Sequence, residues 1–454
     1  MAELEPLYTA EEMKSAEAGH DVAVLMERAA RGLAERVLED FGDATRITAV
    51  CGGGNNGGDT RIAAGLLRDA GKDVHVVEVA PEDETKDLGR PELVLDGIFG
   101  TGFSGEPRPA AARLIEQINA LDVEVVAVDV PSGVDASTGE VAGPAVDAWC
   151  TVSFHAEKVG LYVSPGSFHA GWSDVAEIGL KDVTTAHARV TGDIVAEVPL
   201  RGSHRPETKY TAGSVLVVGG QPGMTGAVCL AAEAAFRADA GYVAVAAPRE
   251  SLPIVEARLL EAVKRPLEEV WDAAGRAGAL AIGPGLGRSD DRKALVRRLL
   301  AETALPAVVD ADALDGLQPF QREGPTVLTP HSGELGRLLD VEASWVDAHR
   351  LDAVRRAVER FACVVLLKGP ETIIGAPGEQ TLVSSGADAL ATAGTGDVLT
   401  GIVAAFLSKG MDARIAAAAA ARAHADAALA ADHHSGLIAS DVIAQLPRVL
   451  DAAV

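Results

Sequence analysis

The stretch Gly394-Thr395-Gly396-Asp397 contains residue types suited to phosphate chemistry. An apolar run, 398–407, follows it and predicts a helix that starts at these glycines. Free backbone N–H groups and the positive end of the helix dipole would favour an anion there, such as a transferring phosphate. Asp397, at the mouth of this helix, would take a proton from a substrate hydroxyl. The alternative is that Asp397 only caps the helix and the glycines form a tight turn.

Strands and helices are predicted to alternate around three loops in the first half of the chain, 52–59, 100–106 and 129–135. The predicted strands cover 47–51, 74–79, 93–99 and 123–130, and predicted helices start near Thr9 and Asp21 and cover 59–70 and 110–120. This alternation predicts a parallel, doubly wound sheet wrapped by helices. Ligands of such sheets bind at the carboxyl ends of the strands, where the three loops lie.

The loop 52–59 also matches the GxGxxG pattern through three of its glycines, and Glu78 lies near the end of the next strand. This pattern would indicate a dinucleotide-binding dehydrogenase. Asp59 is expected to begin the following helix, however, where its charge would repel a pyrophosphate. The pattern is also weak by itself, so a dehydrogenase is not assigned.

A second alternating series begins at Ser214. Its predicted strands cover 214–218, 280–282, 307–309, 327–328 and 364–367, followed by a hairpin over 373–383 and an alanine-rich helix over 415–431. Between the two series, 201–206 is polar and broken by Gly and Pro, which predicts a linker. We therefore predict two domains, 1–200 and 201–454. The sequence contains no Walker A motif, so a nucleotide would be bound in another way.

The composition limits the classes of partner. A formal net charge of −26 would repel the phosphates of nucleic acid, so no nucleic-acid partner is expected. No apolar run reaches the length of a membrane span and no signal peptide is recognised, so we expect no membrane partner and a cytoplasmic protein. Four dispersed cysteines without a CxxC motif indicate neither disulfides nor a zinc site. We interpret His433-His434 as a solvated loop pair.

Several motifs, in order along nearly the whole chain, resemble those of a known family. The first half resembles NAD(P)H-hydrate epimerases in Gly-Asn-Asn-Gly-Gly-Asp at 54–59, Gly-Thr-Gly at 100–102 and Val-Asp-Val-Pro-Ser-Gly-Val-Asp at 128–135. The second half resembles ADP-dependent NAD(P)H-hydrate dehydratases in Gly-Pro-Gly-Leu-Gly at 283–287, Pro-His-Ser-Gly-Glu at 330–334 and Gly-Thr-Gly-Asp at 394–397. Together they resemble fused bifunctional NAD(P)H-hydrate repair enzymes. Thr60 departs from the family, which usually has glycine there, and narrows the loop.

This resemblance implies an N-terminal Rossmann-like doubly wound domain and a C-terminal ribokinase-like α/β domain. The substrates would be NADHX and NADPHX, in which the nicotinamide ring has added water to give an R/S mixture. The first domain would interconvert R and S, and the second would dehydrate the S form with ADP, giving AMP and phosphate. Hydroxide is a poor leaving group, whereas the ring nitrogen can expel a phosphorylated hydroxyl. K⁺ in the epimerase domain, Mg²⁺ in the dehydratase domain and a homo-oligomer are also expected.

The resemblance also assigns the site residues. The hydrate pocket of the first half would consist of Asn55, Asn56, Gly57, Gly58, Asp59, Gly100, Thr101, Gly102, Phe103, Ser104, Gly105, Glu106 and the catalytic Asp129. In the second half the hydrate would contact Ala227, Gly285, Gly287, His331 and the base Asp397, beside Gly394 and Gly396. ADP would be held by Lys368, Gly369, Pro370, Glu371 and Thr372. Considered outside this motif, His331 would be a histidine at a helix start whose hydrogen bonds are made with the backbone. Asp310 and Asp312 are interpreted as turn and cap residues.

A potassium site is expected in the first half, formed by Asn56, Asp96 and Ser132. Asp59, Asp96 and Asp129 lie in or beside three strand–loop units, so a doubly wound sheet would bring them towards one edge. Uncompensated, such carboxylates raise one another's pKa, and a bound cation resolves the conflict. Neutral oxygens beside a single carboxylate suit a large monovalent ion better than zinc or magnesium.

Two other classes of function stay open. The second half is also compatible with a small-molecule kinase of the ribokinase superfamily, and ADP consumption without a net phosphorylated product would separate the two. The first half is also compatible with a binding module that lacks catalysis. The first half contains all four of the expected catalytic and cation-binding residues, Asn56, Asp96, Asp129 and Ser132, which argues against a non-catalytic module. An assay of R-to-S conversion distinguishes an epimerase from such a module.

Overall fold

The computed structural model describes residues 4–79, 86–201, 208–209 and 212–453. The chain forms two compact units, a first unit Pro6–Ala188 and a second unit that combines Met1–Glu5 with Arg189–Val454. The compact units thus divide at residue 188, whereas the sequence places the functional division at residue 200, which stays a prediction. Most of the predicted linker 201–206 lies outside the described residues.

The first part of the chain contains the predicted alternation of strands and helices. Its described α-helices are α1 (Ala10–Glu17), α2 (Val22–Asp40), α3 (Asn55–Asp69) and α4 (Pro109–Asn119). Its described strands are β1 (Glu5–Leu7), β2 (Arg46–Cys51), β3 (Asp73–Glu78), β4 (Leu93–Gly97), β5 (Glu124–Val128), β6 (Cys150–Phe154), β7 (Trp172–Ala176) and β8 (His187–Arg189). Thr9 starts α1 with the predicted capping box, and Asp21 caps α2.

Strands β2 to β7 form a parallel sheet in the order β3-β2-β4-β5-β6-β7. The chain passes from β2 to β3 on one side and then returns to β4 on the other side of β2. The carboxyl ends of β2 and β4 therefore flank the point where the strand order reverses, which is where doubly wound sheets bind ligands.

Helices cover both faces of this sheet. Ile47 and Ala49 of β2 are buried in one cluster with Leu33 of α2, while Val50 is buried in a second cluster with Ile115 of α4. Burial on both faces explains why β2 is almost continuously apolar rather than alternating. It also holds the carboxyl end of β2 in place for the loop that follows.

The second unit repeats this alternation on a larger scale. Its described α-helices are α5 (Thr225–Arg237), α6 (Leu252–Arg258), α7 (Val270–Ala274), α8 (Asp290–Glu302), α9 (Ser332–Leu339), α10 (Ala343–Ala348), α11 (Arg350–Phe361), α12 (Thr395–Ser408), α13 (Ala413–Leu429) and α14 (Ala439–Ala452). Its described strands are β9 (Ser214–Val218), β10 (Tyr242–Ala247), β11 (Val263–Pro266), β12 (Ala279–Ile282), β13 (Ala307–Val309), β14 (Thr326–Leu328), β15 (Val364–Leu367), β16 (Glu371–Gly375) and β17 (Thr381–Ser385).

These strands follow the order β17-β16-β15-β14-β13-β12-β9-β10-β11. Strands β9 to β15 pair in parallel, and β16 and β17 form the predicted antiparallel hairpin. The strand order reverses between β9 and β12, and the loops after these strands are joined by hydrogen bonds. Gly220 N donates to Pro284 O at 3.0 Å and Gln221 N to Gly285 O at 2.7 Å. This unit, too, has a ligand-binding position at the strand-order reversal.

Two sequence expectations about elements are wrong. Helix α3 begins at Asn55 rather than at Asp59, because Gly57 lies inside the helix, where a Cβ would be 2.6 Å from Gly52 N. Asp59 is therefore in the second turn of α3, and the argument that it begins the helix and repels a pyrophosphate fails. Strands β1, β6, β7, β8, β10 and β11 were not predicted. Among the described residues, no helix is long and apolar enough to span a membrane.

Candidate active sites

A cavity of about 890 Å³ lies in the first unit, at the carboxyl ends of β2 and β4. The predicted site residues that line it are Asn55, Asn56, Asp59, Gly100, Thr101, Gly102, Phe103 and Asp129. Helices α1 and α2 complete the wall with residues that the sequence did not indicate, including Lys14, Glu17 and Met26. The predicted pocket residues Gly57, Gly58, Ser104, Gly105 and Glu106 do not line the cavity within the described part of the chain.

Asp129 follows β5 and adopts a left-handed backbone conformation, with φ 70°. One carboxylate oxygen lies 2.7 Å from Lys158 Nζ and accepts from Phe154 N at 3.2 Å, and the other accepts from Thr101 N and its hydroxyl. Burial raises the pKa of Asp129, but the Lys158 ammonium and these donors outweigh it and hold the pKa below its usual value. Asp129 is thus an ionised carboxylate at the cavity wall.

Lys158 was not identified from the sequence. Its side chain is fully buried, and its ammonium donates to Ser153 Oγ, Phe154 O and Ala156 O as well as pairing with Asp129. A lysine followed directly by the apolar segment 159–163 is the signal that would have marked it, because a lysine is fully buried only when paired.

Asp59 lies on α3 and contributes a second carboxylate to the same cavity. Its side chain is buried, and its Oδ1 has no hydrogen-bond partner among the described residues. Burial, followed by the charges of Asp129 and Glu17, raises the pKa of Asp59 to about 8. The cavity therefore contains one carboxyl group that is ionised at neutral pH and another that is protonated.

The predicted cation ligands also lie near this cavity. Asp96, the second-last residue of β4, is fully buried and accepts from Ser132 Oγ at 2.7 Å and Ser132 N at 2.8 Å. Burial raises the pKa of Asp96 to about 6, against the lowering effect of these bonds. Asn56 Nδ2 donates to Phe99 O at 2.6 Å and to Val128 O at 3.0 Å.

Among Asp59, Asp96 and Asp129, the expected effect of crowded carboxylates is found only at Asp59, where burial and then the charge of Asp129 raise the pKa. Asp129 is already compensated by the Lys158 ammonium, and its pKa is lowered rather than raised. Asp96 is surrounded by the donors of Ser132 and not by other carboxylates. A cation near Asp96 would therefore meet hydroxyl and carbonyl oxygens beside one carboxylate, rather than a cluster of carboxylates.

In the second unit, the glycine loop enters α12 as predicted. Gly394 is the N-cap with φ 91°, and no side chain caps the helix, so Asp397 is not the cap. Asp397 is half-buried in the first turn of α12. Burial and then the charge of Asp310 raise its pKa to about 7, against the opposing charge of Lys368.

Asp310 and Lys368 connect the strand ends to this loop. Lys368 Nζ lies 2.7 Å from Asp310 Oδ1, and Thr400 Oγ1 of α12 donates to Asp310 Oδ2 at 2.6 Å. Glu334 Oε2 lies 3.8 Å from the same ammonium. The interpretation of Asp310 as a mere turn residue is therefore wrong, because its buried carboxylate orients both Lys368 and α12. Its position directly after the apolar strand β13 is the signal for it.

The predicted hydrate residues of the second unit lie in two parts of the structure, the loops at the strand-order reversal and the start of α9. Ala227 and Gly285 are neighbours, since a Cβ at Gly285 would lie 3.3 Å from Ala227 Cβ. Gly287 follows in the same loop and donates its N–H to Asp312 Oδ2 at 2.9 Å, so Asp312 holds this loop. His331 caps α9, where its Nδ1 accepts from Gly333 N at 3.0 Å, which matches the reading of a helix-start histidine satisfied by backbone.

The predicted nucleotide segment after β15 needs one correction. Lys368, Gly369 and Pro370 are partly or fully exposed. Glu371 is the first residue of β16, and its buried side chain forms an ion pair with Arg350 of α11. The carboxylate of Glu371 is therefore part of the core, and its backbone carbonyl also accepts from Arg350 Nη2 at 2.9 Å. No group of three or more His, Cys, Asp or Glu side chains suited to a metal occurs in the described ranges.

Comparison with known proteins gives independent information on both halves. A family model described as NAD(P)H-hydrate dehydratase matches residues 215–448, and one described as YjeF-related protein N-terminus matches residues 22–90 and 78–160. The bifunctional NAD(P)H-hydrate repair enzyme Nnr of Moorella thermoacetica is 37% identical, over 94% of this chain and 92% of its own. That of Salinibacter ruber is 34% identical, over 98% and 96%.

A solved structure agrees with the expected fold. The ADP/ATP-dependent NAD(P)H-hydrate dehydratase from Bacillus subtilis, co-crystallised with ATP and Mg²⁺, is 28% identical with a TM-score of 0.53. The similarity covers 58% of this chain and 98% of that chain. The expected α/β fold with an epimerase-like and a ribokinase-like domain is confirmed. With both domain types present and relatives aligned over nearly its whole length, the chain belongs to the family of bifunctional NAD(P)H-hydrate repair enzymes.

Proposed function

We propose that this protein repairs hydrated NADH and NADPH with one reaction in each unit. The first unit interconverts the R and S hydrates, and the second dehydrates the S form with ADP, giving AMP and phosphate. The observation that carries the proposal is Asp397, a half-buried carboxylate at a helix N-terminus capped only by glycine backbone. Lys368 borders the same loop, since a Cβ at Gly396 would lie 3.5 Å from its Nζ.

In the dehydration, Asp397 takes the proton of the substrate hydroxyl as its oxygen attacks the terminal phosphorus of ADP. AMP leaves, and the backbone N–H groups of Gly394 and Gly396 with the Lys368 ammonium stabilise the charge on the transferring group. The ring nitrogen then expels the new phosphate ester as phosphate. Loss of a proton from the neighbouring ring carbon restores the double bond of NADH or NADPH.

Further residues support the nucleotide and hydrate contacts. Asp310 positions Lys368 by its ion pair and α12 through Thr400, so the ammonium and the helix N-terminus point at one place. Ala227, Gly285 and Gly287 lie at the reversal of strand order, where ligands of such sheets bind. The two glycines allow close packing of the loops, since a Cβ at Gly285 would lie 2.5 Å from Met224 O and one at Gly287 would overlap Gln221 Oε1.

In the epimerisation, Asp129 is the base that acts on the hydroxyl of the hydrate. Its ionised state is supported by Lys158, and its carboxylate faces the cavity formed by α1, α3 and the loop after β4. The cavity volume of about 890 Å³ suits a ligand of nucleotide size.

We propose that Asn56, Asp96 and Ser132 hold a potassium ion beside this cavity. Support comes from the oxygen atoms around these side chains. Phe99 O and Val128 O both accept from Asn56 Nδ2, and Ser132 Oγ lies 3.4 Å from Phe99 O and 2.7 Å from Asp96 Oδ1. A set of neutral oxygens with one carboxylate fits a large monovalent cation. The ion would fix the loops that shape the hydrate pocket.

Magnesium is proposed for the second unit. Because the described residues offer no cage of three metal-binding side chains, Mg²⁺ would be bound mainly through the nucleotide phosphates, with one or two carboxylates near Lys368. The relative from Bacillus subtilis, crystallised with ATP and Mg²⁺, supports this assignment. ADP is the proposed phosphoryl donor.

The test is incubation of the purified chain with an R/S mixture of NADPHX, with and without ADP. We expect R-to-S conversion without ADP, and complete conversion to NADPH, AMP and phosphate with ADP. A stable phosphorylated product would instead identify a small-molecule kinase. Absence of R-to-S conversion would identify the first unit as a non-catalytic binding module.

We propose that residues 1–200 and 201–454 are the two functional domains, and that the protein is a cytoplasmic homo-oligomer. The division is supported by two complete strand–helix series in the sequence. Light scattering of the purified protein tests the oligomer, and fluorescence of a tagged chain in its host tests the location.

A further inference from the structure

One carboxyl group in the first unit lacks the partners that a buried acid normally has. Asp59 is only 7% exposed, and its Oδ1 has no hydrogen-bond partner among the described residues. The side chain nevertheless lines the cavity that Asp129 also lines. A buried polar atom without a partner costs free energy, so its presence at a ligand cavity indicates that a ligand supplies the partner.

The surroundings of Asp59 favour its neutral form. Apolar side chains of α2, such as Leu25 and Met26, form the wall on one side. The charged groups that face the cavity are Glu11, Lys14 and Glu17 of α1 and Asp129, with Lys158 behind Asp129. The two groups that act most on Asp59 are both carboxylates, and no ion pair of Asp59 is found in the described part of the chain.

Asp129 has the opposite surroundings. Its carboxylate accepts from Lys158 and from the backbone N–H groups of Phe154 and Thr101. The same cavity therefore contains a carboxylate saturated with donors and a carboxyl group without any. Two carboxyl groups whose environments push their protonation states apart are the usual arrangement for an acid and a base that act together.

We propose that Asp59 is a second catalytic residue of the epimerisation, the proton donor that works with the base Asp129. This inference rests on the proposed epimerase function of the first unit. It assigns to Asp59 a chemical role beyond the contact with the hydrate that the family resemblance implies.

The proposed reaction is a ring opening at the hydrated carbon, which is bonded to both the hydroxyl oxygen and the ring nitrogen. Asp129 takes the hydroxyl proton, the carbon–nitrogen bond breaks, and its electron pair goes to the nitrogen, which takes a proton from Asp59. The carbon is now an aldehyde, and rotation about its bond to the neighbouring ring carbon presents the other face. Reclosure returns one proton to Asp59 and the other from Asp129 to the oxygen, so both groups are regenerated.

The protonation state of Asp59 predicts how the rate of epimerisation changes at alkaline pH. The raised pKa, about 8, keeps Asp59 protonated at neutral pH, and ionisation above that value removes the proton donor. The lowered pKa of Asp129 places the lower limb well on the acid side. The wild-type kcat/KM of epimerisation is therefore expected to fall above about pH 8.

The test uses the full chain with Asp59→Asn, and with Asp69→Asn as a matched control on the exposed end of α3. The conversion of R-enriched NADPHX is followed without ADP between about pH 5 and about pH 10. We expect Asp59→Asn to lower kcat/KM by about 10²–10⁴-fold and to remove the alkaline limb. Asp69→Asn is expected to behave as wild type. Circular dichroism and thermal unfolding, compared with the wild type, show that the first unit of each variant is folded, because dehydration reports only on the second unit.

Two outcomes separate this inference from the function on which it rests. An Asp59→Asn variant that keeps the wild-type rate and alkaline limb would overturn the role of Asp59 and leave the epimerase function standing. A wild-type chain without epimerisation would overturn both. Should the variant not fold, ¹³C NMR titration of the wild-type aspartate carboxyl groups decides, because a carboxyl ionised at pH 7 at this position contradicts the proposal.

Discussion

The two candidate bases of this protein reach their protonation states by different means. Asp129 is buried but paired with the Lys158 ammonium, so it is ionised well below neutral pH. Asp397 has no hydrogen-bond or ion-pair partner for its side chain among the described residues, and burial together with the charge of Asp310 raises its pKa to about 7. A base with a pKa near the working pH is both ionised and able to take a proton from a hydroxyl.

Replacement of this second base gives the most direct prediction. We expect Asp397→Ala to lower ADP-dependent dehydration by about 10²–10⁴-fold, because a positioned general base is lost, while epimerisation and folding are retained. NADPH formation from S-NADPHX is the measurement, and R-to-S conversion by the same sample is the control. A variant with near wild-type dehydration would show that Asp397 is not the base.

The pH dependence of dehydration is a second prediction at this scale. Because the pKa of Asp397 is raised to about 7, the ionised fraction falls as the pH drops through that value. The kcat/KM of wild-type dehydration is therefore expected to decrease about tenfold per pH unit below about 7. A profile that is flat between about pH 5 and about pH 8 would contradict this assignment.

The proposed potassium site predicts that epimerisation can be lost while dehydration is kept. Asp96→Ala is expected to make epimerisation nearly inactive and to leave dehydration unchanged, because the loop of Ser132 loses its anchor and the ion its carboxylate. Asp96→Asn tests the charge with less change in shape. Anomalous scattering from wild-type crystals is expected to identify potassium beside Asn56. A site that is empty or filled with magnesium, or full activity of Asp96→Ala, would refute the proposal.

Individual residues were predicted well where a motif names them and poorly where only the fold brings them in. Asp129 and Lys368 directly follow apolar strands, and Asp397 follows a glycine loop that precedes an apolar helix, so the position of each follows from the sequence. Lys158 and Asp310 were missed, since their importance comes from ion pairs with residues distant in the chain. Periodicity cannot show which strand ends become neighbours.

At the scale of elements, each site depends on how a glycine-containing loop enters a helix. Gly54 caps α3 and Gly394 caps α12, in both cases without a side-chain hydrogen bond, so the first N–H groups stay free. Gly394 needs φ 91°, and a Cβ there would lie 2.7 Å from Leu230 Cδ1. The loop that ends at Gly394 thus both presents backbone N–H groups at the start of α12 and packs closely against Leu230.

Substitution of this cap gives a prediction with a control on the same helix. Gly394→Ala and Gly410→Ala both place a side chain at positive φ, at opposite ends of α12, and each is expected to cost about 1–2 kcal/mol of stability. Only Gly394→Ala also meets Leu230, so only this variant is expected to lose ADP-dependent dehydration. Equal activity in the two variants would argue against an anion site at this helix start.

The apolar strands and the long amphipathic helices were predictable because their patterns are local. Strands β9, β13 and β15 have the predicted bounds. Strand β6 was missed because Thr151 and Ser153 interrupt its apolar run, although both are fully buried and bonded in the core. The start of α3 was misplaced because glycines that normally indicate a loop are used there for close packing.

At the scale of the whole molecule, the proposed division at residue 200 predicts two separable enzymes. We expect residues 1–200 to epimerise and residues 201–454 to dehydrate, because each contains its own sheet and site. The second fragment lacks Val190, whose N–H donates to Val383 O at 2.8 Å. A chain of residues 189–454 is therefore expected to have the higher Tm of the two dehydratase fragments. Insoluble fragments, or a fragment 201–454 without activity, would contradict the division.

The second compact unit also includes the start of the chain. Arg189 Nε donates to Glu5 Oε2 at 2.6 Å, and the next residue, Val190, bonds to Val383 in β17. During synthesis on a ribosome, Arg189 and Val190 cannot join β17 until Val383, 194 residues after Arg189, has been translated. At about 5–20 residues per second this delay is roughly 10–40 s. The pair of Glu5 and Arg189 thus waits for a strand that is translated much later.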